Sequence, residues 1–377
     1  MKATGDLQLL KRINRSVLLR LVRAQPEVSR ARLAELSGLT KSTVSALVRE
    51  LIDEHWLTEA TETVIAQGLG RPSTPLCIDP TRRVLIGVEI AVDCVRLVCT
   101  TLAGVILTHT EVPLQGSTPE AACLQVAEIV GLLCTQLAAR QLLLTGVGIA
   151  LPGAVDDVTG VVHLAPNLGW RKVPLQSMIA HALSPFGIDK ADIYLQNEAD
   201  AAALSEYEFG AGSELEPLVF VICDIGVGAG VILNDRLFTG ATGMAGEIGH
   251  SILQINGPVC SCGRQGCAET FIGARALAKN KDENQAAAYL GMLLQNLDAM
   301  FNPRVIVLGG RSAILNPDWI DTARQTLNTY ARAAGLTPPE VKAARYGMQA
   351  AAVGAAALVL HHHLRPLYKD KQHVPGD

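Results

Sequence analysis

The sequence predicts an α/β protein in which a small helical domain precedes a larger, two-lobed region. Residues 8–54 contain three helical patterns, and a short turn with a glycine separates the last two. Two later segments, which begin at Leu85 and Val219, each contain an apolar strand, a turn and a second strand. Two segments with the same strand-turn-strand pattern indicate two similar α/β lobes with a cleft between them. We expect a helical domain at 1–80, the lobes at 84–365 and a tail at 366–377, with the triplet His361–His363 also solvated.

The composition is typical of a globular cytoplasmic protein. With 377 residues, of which 49% are hydrophobic, the chain can form two or three domains. No apolar run is expected to reach the roughly 18 residues that span a bilayer, and the N-terminus lacks an apolar signal core. Nine cysteines, an odd number, favour a reducing compartment. We therefore expect a cytoplasmic protein without a membrane partner.

Charge is distributed unevenly along the chain. The net charge is −4, but residues 1–50 carry ten Lys and Arg against four Asp and Glu, a balance of +6. The remaining residues carry a balance of −10. The net charge alone argues against nucleic-acid binding. The asymmetry, however, is typical of a small nucleic-acid-binding module attached to a larger acidic domain.

The first 54 residues have the pattern of a helix-turn-helix. Apolar residues recur at helical spacing in 8–24, Ser29 is placed to cap a short helix that ends at Gly38, and Thr40 is placed to cap a third helix. Two helices joined by a short turn form the motif that contacts the DNA major groove. An ordinary helical hairpin with a basic, solvated face is the alternative.

The third helix begins with small polar residues and a lysine that we expect to contact DNA. The residues that can approach base edges and phosphates there are Lys41, Ser42, Thr43 and Ser45. Two short strands, WLTEA and TPLCIDP, predict the wing of a winged helix, and the loop between them contains Arg71. Arg71 is placed to enter an A·T-rich minor groove, although an ordinary flexible wing tip fits equally well.

Three cysteines and one histidine within residues 247–269 form a candidate metal centre. Three thiols and one imidazole are a closed tetrahedral ligand set, which predicts one structural zinc per chain. Gly263 and Gly266 let the chain turn tightly around the ion. A catalytic zinc needs an open position, so this set argues against a zinc hydrolase. A chance group of buried cysteines is the alternative. The candidate ligands are His250, Cys260, Cys262 and Cys267.

The same stretch resembles a known family. The pattern E-x-G-H followed by C-x-C-G-x-x-G-C-x-E, from Glu247 to Glu269, resembles the signature of the ROK family of repressors, open reading frames and kinases. The resemblance extends from about Ile86 to about Leu360. It implies a two-lobed, actin-like ATPase or sugar-kinase fold of the ribonuclease H-like type. In this family the zinc shapes a sugar site, and the histidine binds zinc through one ring nitrogen while its other side faces the sugar.

The resemblance also implies which residues contact a sugar in the cleft. Asn167 lies near Trp170 in the sequence, where an amide suits hydroxyl recognition, although asparagine is also a common turn residue. The positions that match the family's sugar contacts are Gly153, Asn167, Asn197, Glu198, Glu247, His250 and Glu269. The resemblance therefore predicts a polar, acid-rich sugar site beside the metal centre.

The chain departs from the kinases of the family where they bind phosphate. Those kinases have a D-x-G-G-T loop, whereas this chain has glutamate, Ile-Ala-Val and then Asp93, with both glycines replaced. The kinases' general base is an aspartate, and Glu198 stands at its position. Glutamate can accept hydrogen bonds from a sugar, but it misplaces the carboxylate for phosphoryl transfer. A simple acid at a helix N-terminus is the other explanation for Glu198. The glycine run at Gly226, preceded by Asp224, is a weak phosphate-loop signal.

Together these features predict a sugar-responsive, DNA-binding transcriptional regulator, in particular a repressor of carbohydrate-utilisation genes. A sugar or sugar phosphate is expected to bind in the cleft. Binding would change the arrangement of the DNA-binding heads of a homodimer or tetramer on an inverted repeat of operator DNA. The protein is not expected to be an enzyme. The alternative is an ATP-dependent sugar kinase that carries a DNA-binding head.

Overall fold

The structure is a computed structural model that describes residues 7–60, 74–210, 216–279, 283–311 and 317–366. Within these stretches the helices are α1 (Leu7–Ala24), α2 (Arg30–Ser37), α3 (Lys41–Asp53), α4 (Pro119–Ala139), α5 (Leu175–Leu183), α6 (Glu198–Phe209), α7 (Glu269–Ile272), α8 (Ala274–Lys279), α9 (Glu283–Phe301), α10 (Pro317–Ala333) and α11 (Ala350–Leu364). The strands are β1 (Leu57–Glu59), β2 (Leu76–Ile78), β3 (Arg83–Ile90), β4 (Cys94–Thr101), β5 (Ile106–Pro113), β6 (Leu143–Leu151), β7 (Ala154–Asp156), β8 (Val161–Ala165), β9 (Trp170–Val173), β10 (Ile193–Asn197), β11 (Leu218–Cys223), β12 (Val227–Leu233), β13 (Arg236–Leu237), β14 (Val305–Gly309) and β15 (Glu340–Ala343).

Helices α1 to α3 and the antiparallel β1–β2 hairpin form an N-terminal head with the winged helix-turn-helix arrangement. The Ser29 side chain accepts a hydrogen bond from the first turn of α2, which ends at Gly38 with a φ of 70°. The Thr40 Oγ1 accepts a hydrogen bond from the Thr43 amide at 3.2 Å and so begins α3. The three predicted helices and both wing strands are therefore confirmed.

The first lobe is built on a five-stranded sheet with the strand order β10-β6-β3-β4-β5. Strands β3, β4 and β5 run antiparallel in succession, and β6 and β10 extend the sheet parallel to β3. Both β3 and β4 are buried along nearly their whole length. Helices α4 and α5 pack on this sheet and contribute leucine, isoleucine and valine to its core. Such continuous burial is typical of strands that are covered on both faces.

The second lobe repeats the plan of the first. Its sheet has the strand order β13-β12-β11-β14-β15, with β11, β12 and β13 antiparallel and with β14 and β15 parallel to β11. Helices α7, α9 and α10 contribute the apolar residues that cover it. Each lobe thus has three antiparallel strands followed by two parallel ones, which confirms the prediction of two similar α/β lobes.

Helices α6 and α11 pack against each other, and α6 contacts strands of both sheets. A Cβ atom at Gly354 of α11 would lie 1.8 Å from the carbonyl oxygen of Ala201 in α6. A Cβ atom at Gly148 of β6 would lie 1.8 Å from the carbonyl oxygen of Ala355. Neither position has room for a side chain, so the two helices and the first sheet approach each other at backbone distance.

The head shares a continuous hydrophobic core with the rest of the chain. Leu18 of α1 and Leu358 of α11 belong to one buried cluster that also includes residues of α6. The Trp56 ring contacts the His363 ring with centroids 5.1 Å apart, and the Arg83 guanidinium lies 4.7 Å from the Trp56 centroid. The head is therefore packed on the C-terminal helix α11, although the sequence predicts a domain boundary near residue 80.

The expectation that His361–His363 are solvated is wrong. The three histidines form the last turn of α11, and the His361 side chain is fully buried. Its Nδ1 lies 2.7 Å from the Glu208 Oε1, and Glu208 is 153 positions away in the sequence. A local sequence pattern does not reveal such a distant partner. The predicted tail at 366–377 lies almost wholly outside the described residues.

Helix α4 also departs from expectation. By length and composition it is apolar enough to cross a membrane, although the sequence was not expected to contain such a segment. Half of its apolar 18-residue window is buried in the protein, where Val126 and Val130 belong to the core of the first lobe. A core helix of a globular protein passes the same test of length and composition. Its packing identifies α4 as part of the core of this lobe.

Candidate ligand cleft and metal centre

A cleft of about 950 Å³ lies between the lobes, where the carboxyl ends of parallel strands meet. Strand β6 ends just before Gly153, β10 ends at Asn197, and β11 ends just before the loop that contains Gly226. The cleft is lined by every residue that the resemblance assigned to sugar contact, namely Gly153, Asn167, Asn197, Glu198, Glu247, His250 and Glu269. The fold thus brings the seven residues to one place, while their contacts with a ligand stay a prediction.

Asn197 fixes the geometry at the start of α6. Its Oδ1 accepts a hydrogen bond from the Ala199 amide at 2.7 Å and so caps the helix. Its Nδ2 donates to the Gly153 carbonyl oxygen at 3.0 Å and to the Glu198 Oε2 at 2.8 Å. One amide therefore connects the helix, the turn after β6 and the adjacent carboxyl group, which holds Glu198 in a defined position at the cleft.

The electrostatics of the cleft favour a neutral Glu198. Burial, together with the negative charges of Glu89, Glu247 and Asp224, raises the pKa of Glu198 to about 8. At neutral pH the Glu198 carboxyl is then mostly protonated and can donate one hydrogen bond as well as accept others. Burial also raises the pKa of Glu247. Such a wall of carboxyl groups suits a ligand that presents hydroxyl groups.

The four candidate metal ligands converge on one point beside the cleft. One donor atom from each of the four residues lies within 4.8 Å of the other three. The Cys262 and Cys267 sulfurs are 3.7 Å apart, and the Cys260 sulfur is 3.6 Å from the His250 Nδ1. With bonds of about 2.3 Å to sulfur and about 2.05 Å to nitrogen, a tetrahedral zinc would place these pairs about 3.8 Å and about 3.6 Å apart. The group can hold a metal ion, and its dimensions fit zinc.

Glu269 connects the cleft with the four candidate metal ligands, called the metal group below, which are His250, Cys260, Cys262 and Cys267. It is the first residue of α7, and its Oε1 lies 2.8 Å from the Cys260 sulfur and 3.8 Å from the His250 Nδ1. A Cβ atom at Gly226 would lie 3.9 Å from the Glu269 Oε2 and 4.0 Å from the Asn167 Nδ2, so this carboxylate and this amide both lie beside the glycine loop. Glu269 therefore lies between the candidate metal ligands and the cleft.

An arginine that the sequence analysis did not identify lines the cleft and connects the two lobes. Arg311 follows β14, and its guanidinium forms two hydrogen bonds with Asp93, at 2.8 and 3.1 Å, and one with Asp224 at 2.9 Å. Asp93 lies in the turn between β3 and β4 of the first lobe, and Asp224 follows β11 of the second. The arginine lies 218 positions from Asp93, so no motif connects them.

The predicted DNA-contacting residues lie at the start of α3. Lys41, Ser42 and Ser45 are exposed, whereas Thr43 is half-buried and its hydroxyl lies 2.8 Å from the Thr40 hydroxyl. Arg71 lies outside the described residues. Further candidates that the sequence analysis missed are Arg30 and Arg49, which line a surface depression together with Ser45. Helical spacing could have identified Arg49, because it lies one turn beyond Ser45.

Comparison with known proteins identifies both parts of the chain. Residues 85–287 and 280–362 match the profile of the ROK family, and residues 12–58 match the profile of winged helix-turn-helix DNA-binding domains. The xylose repressor of Bacillus subtilis (strain 168) is 28% identical over 388 residues, which cover 96% of this chain and 98% of that relative. The similarity thus spans the head and the lobes together.

Solved structures have the same fold. A ROK family transcriptional regulator, a homologue of the E. coli MLC protein, covers 98% of this chain and 100% of its own, with a TM-score of 0.76 and 23% identity. A ROK family glucokinase from Streptomyces griseus, solved with glucose and AMPPNP, covers 73% of this chain and 98% of its own, with a TM-score of 0.64 and 25% identity. The predicted fold class is confirmed. The chain belongs to the ROK family and begins with a winged helix-turn-helix DNA-binding domain.

Proposed function

We propose that the protein is a sugar-responsive transcriptional repressor that binds operator DNA through its head and a sugar in its cleft. The observation that carries the proposal is the combination, in one chain, of a DNA-binding head and a two-lobed domain with a polar cleft. The match to the xylose repressor over 96% of this chain supports the same combination of functions. A regulator of this kind acts in the cytoplasm, where its DNA is.

The sugar would bind against the acidic wall of the cleft. Carboxyl and amide groups of Asn167, Glu198 and Glu269 provide acceptors and donors for neighbouring hydroxyl groups. The His250 Nδ1 lies on the metal side, which leaves Nε2 as the ring nitrogen available to the cleft. A metal-bound imidazole keeps one tautomer, so its Nε2–H would be a fixed hydrogen-bond donor. We expect Gly153, Asn197 and Glu247 to complete this site.

One structural zinc ion per chain would hold the wall in place. The donor set of three thiols and one imidazole is closed, so the ion would order the loop between His250 and Glu269 without offering a reactive position. The sulfur and nitrogen donors support zinc over cations that prefer oxygen ligands.

The protein would not act as a sugar kinase. The turn at Ala91 and Val92 lacks the glycines that let main-chain amides surround a phosphate. Arg311 is already occupied by Asp93 and Asp224, so a nucleotide phosphate entering there would meet two carboxylates with no free arginine between them. Glu198 provides a carboxyl group at the position of the kinases' base, but the glycines of their first phosphate loop are replaced.

The head would bind an inverted repeat as part of a dimer or tetramer. The start of α3 presents Lys41, Ser42 and Ser45, and Arg49 extends this exposed face by one turn. A two-fold assembly places two such helices in successive major grooves, one or more helical turns apart. Thr43 and, in the wing loop, Arg71 would complete the contacts with DNA.

Ligand binding is tested by thermal unfolding with a panel of D-xylose, D-glucose, N-acetyl-D-glucosamine and glucose 6-phosphate. Ligand at about 100 times its dissociation constant stabilises the folded state by about 2.7 kcal/mol, so at least one panel member should raise Tm by several degrees. At the same concentration, the effective sugar should raise the Tm of the Asn167→Ala variant less than that of the wild type. A panel without any effect contradicts the proposal.

Coupled ADP release at the order of 1–100 per second, as in ordinary kinases, would instead establish the kinase alternative.

A further inference from the structure

Helix α6 extends from the cleft to the DNA-binding head. Its first residue is Glu198, which lines the cleft, and its last two residues are Glu208 and Phe209, which lie beside the head. Twelve helical residues span about 18 Å at about 1.5 Å each. One rigid element therefore touches both the candidate sugar site and the region where α1 is attached.

The contact between α6 and the head is a buried ion pair. The Glu208 side chain is 1% exposed, and its Oε2 lies 2.7 Å from the Arg23 Nη1 of α1. Arg23 also donates a hydrogen bond to the Glu208 carbonyl oxygen, at the end of α6. The same carboxylate accepts hydrogen bonds from Arg365 at 2.5 Å and from His361 at 2.7 Å, both at the end of α11.

The buried Glu208 carboxylate stays charged because it has two arginine partners. Burial alone would raise the pKa of Glu208, but Arg365 and Arg23 hold it well below its usual range, and the carboxylate stays ionised. Arg365 is shared with Asp235 at 3.2 Å. Without Arg23 the buried carboxylate would keep only His361 and Arg365, which it shares with Asp235. Separating Arg23 from Glu208 is therefore unfavourable.

Helix α6 has little freedom to bend and absorb a displacement. It packs on α11 with Gly354 against the carbonyl oxygen of Ala201, and a Cβ atom at Gly230 of β12 would lie 2.4 Å from the carbonyl oxygen of Ala199. Closely packed helices move as units relative to their neighbours. Since α6 contacts strands of both lobes, a change in the angle between the lobes must move it relative to at least one of them.

We propose that Arg23 and Glu208 are positioning residues through which α6 transmits sugar binding in the cleft to the orientation of the DNA-binding head. This proposal rests on the proposed function. Sugar binding would pull on Glu198 and Asn197 at the start of α6, and the ion pair would carry the displacement of the helix to α1. The ligand acts by stabilising one of two arrangements of the head, so the effect is a coupling between two sites.

The test compares operator affinity with and without sugar in the full-length protein. The probe is a DNA duplex selected in vitro with the wild type, and the ligand is the panel sugar that raises its Tm most. The variants are Arg23→Gln, the conservative Arg23→Lys, and Lys11→Gln as a matched control. Lys11 lies on the same helix and pairs with Glu50 inside the head, so its variant loses the same charge without touching α6.

We expect the sugar to weaken operator binding by about 5- to 150-fold in the wild type and in Lys11→Gln, the usual range of allosteric coupling. In Arg23→Gln the effect should fall below about threefold while the sugar affinity changes by less than about threefold. Arg23→Lys, which keeps the charge but not both hydrogen bonds, should give an intermediate ratio. If the contact between Arg23 and Glu208 is merely structural, the variants should lose operator affinity by the same factor with and without sugar. The ratio of the two affinities would then stay at the wild-type value.

An Arg23→Gln variant with the wild-type ratio would overturn the proposal and leave the proposed function intact. If Arg23→Gln no longer binds DNA, the proposal is tested with Arg23→Lys instead. A wild-type ratio in Arg23→Lys also overturns the proposal, and an intermediate ratio supports it. A wild type whose operator affinity does not respond to a bound sugar would overturn the proposed function and this inference together.

Discussion

At the scale of single residues, the metal group adjoins the acidic wall of the cleft. Cys260 and Cys267 are buried while Cys262 is exposed, so the loop is closed on one side and reachable from solvent on the other. Glu269 follows Cys267 by two residues and lies within 2.8 Å of the Cys260 sulfur. A metal ion that orders Cys267 would therefore also fix the backbone that carries Glu269, two residues later at the start of α7.

The metal is tested with Cys262→Ser. Wild-type protein purified without added metal should contain about one zinc per chain, because the ligand set is complete and apparent binding energies for such sites reach about 10–16 kcal/mol. Cys262→Ser should lose the metal and, with it, the rise in Tm caused by the sugar. Metal analysis and thermal unfolding measure the two effects. Cys134→Ser removes a cysteine of α4 outside the metal group and should keep both. Metal-free protein with full sugar binding would contradict the account.

At the scale of elements, α3 is defined by its own sequence. Thr40 caps the helix, and Val44, Leu47 and Leu51 bury one face against the head's core, which leaves the opposite face to solvent. The exposed face begins with Lys41, at the end of the helix that a helix-turn-helix directs to the major groove. The cap and the apolar spacing are both local, which is why the sequence predicted this element correctly.

The DNA-contacting face is tested with Lys41→Ala. Each neutralised phosphate releases counterions, so removing a phosphate contact should weaken operator binding and flatten the dependence of log K on log salt by about one unit. Binding is titrated at several salt concentrations against the selected duplex. Lys190→Ala, which removes a lysine that pairs with Ser177 in the first lobe, is the control for net charge. If Lys41→Ala keeps the wild-type affinity and slope, the DNA surface lies elsewhere.

The elements that the sequence failed to predict are stabilised by distant partners. The triplet at the end of α11 is polar in sequence, and its burial depends on Glu208 and on the Trp56 ring of the head. The role of Arg311 depends on Asp93, 218 positions away. Helix periodicity, caps and metal-ligand spacing act within about 20 residues, so they predicted α1 to α3 and the metal group. They carry no information about ion pairs between separate elements.

At the scale of the whole molecule, one core joins the head to the lobes. The cluster that contains Leu18 and Leu33 of the head continues through Tyr207 of α6 and Leu358 of α11. Glu198 at the start of α6 lines the cleft, and the proposed DNA-contacting helix α3 belongs to the head. A ligand that changes the packing of α6 or α11 would therefore act on the elements against which the head is packed, as the proposed coupling between the two sites requires.

The most direct test of the central claim is the operator affinity of the wild-type protein as a function of sugar concentration. The sugar is the panel member that raises Tm, and fluorescence anisotropy of the labelled duplex measures the dissociation constant at fixed salt. We expect this constant to rise at least about fivefold and then level off once the cleft is saturated, as a coupling of finite size requires. The Asn167→Ala variant should shift the sugar response to higher concentration. A sugar that stabilises the protein but leaves the operator affinity unchanged at saturation would contradict the account.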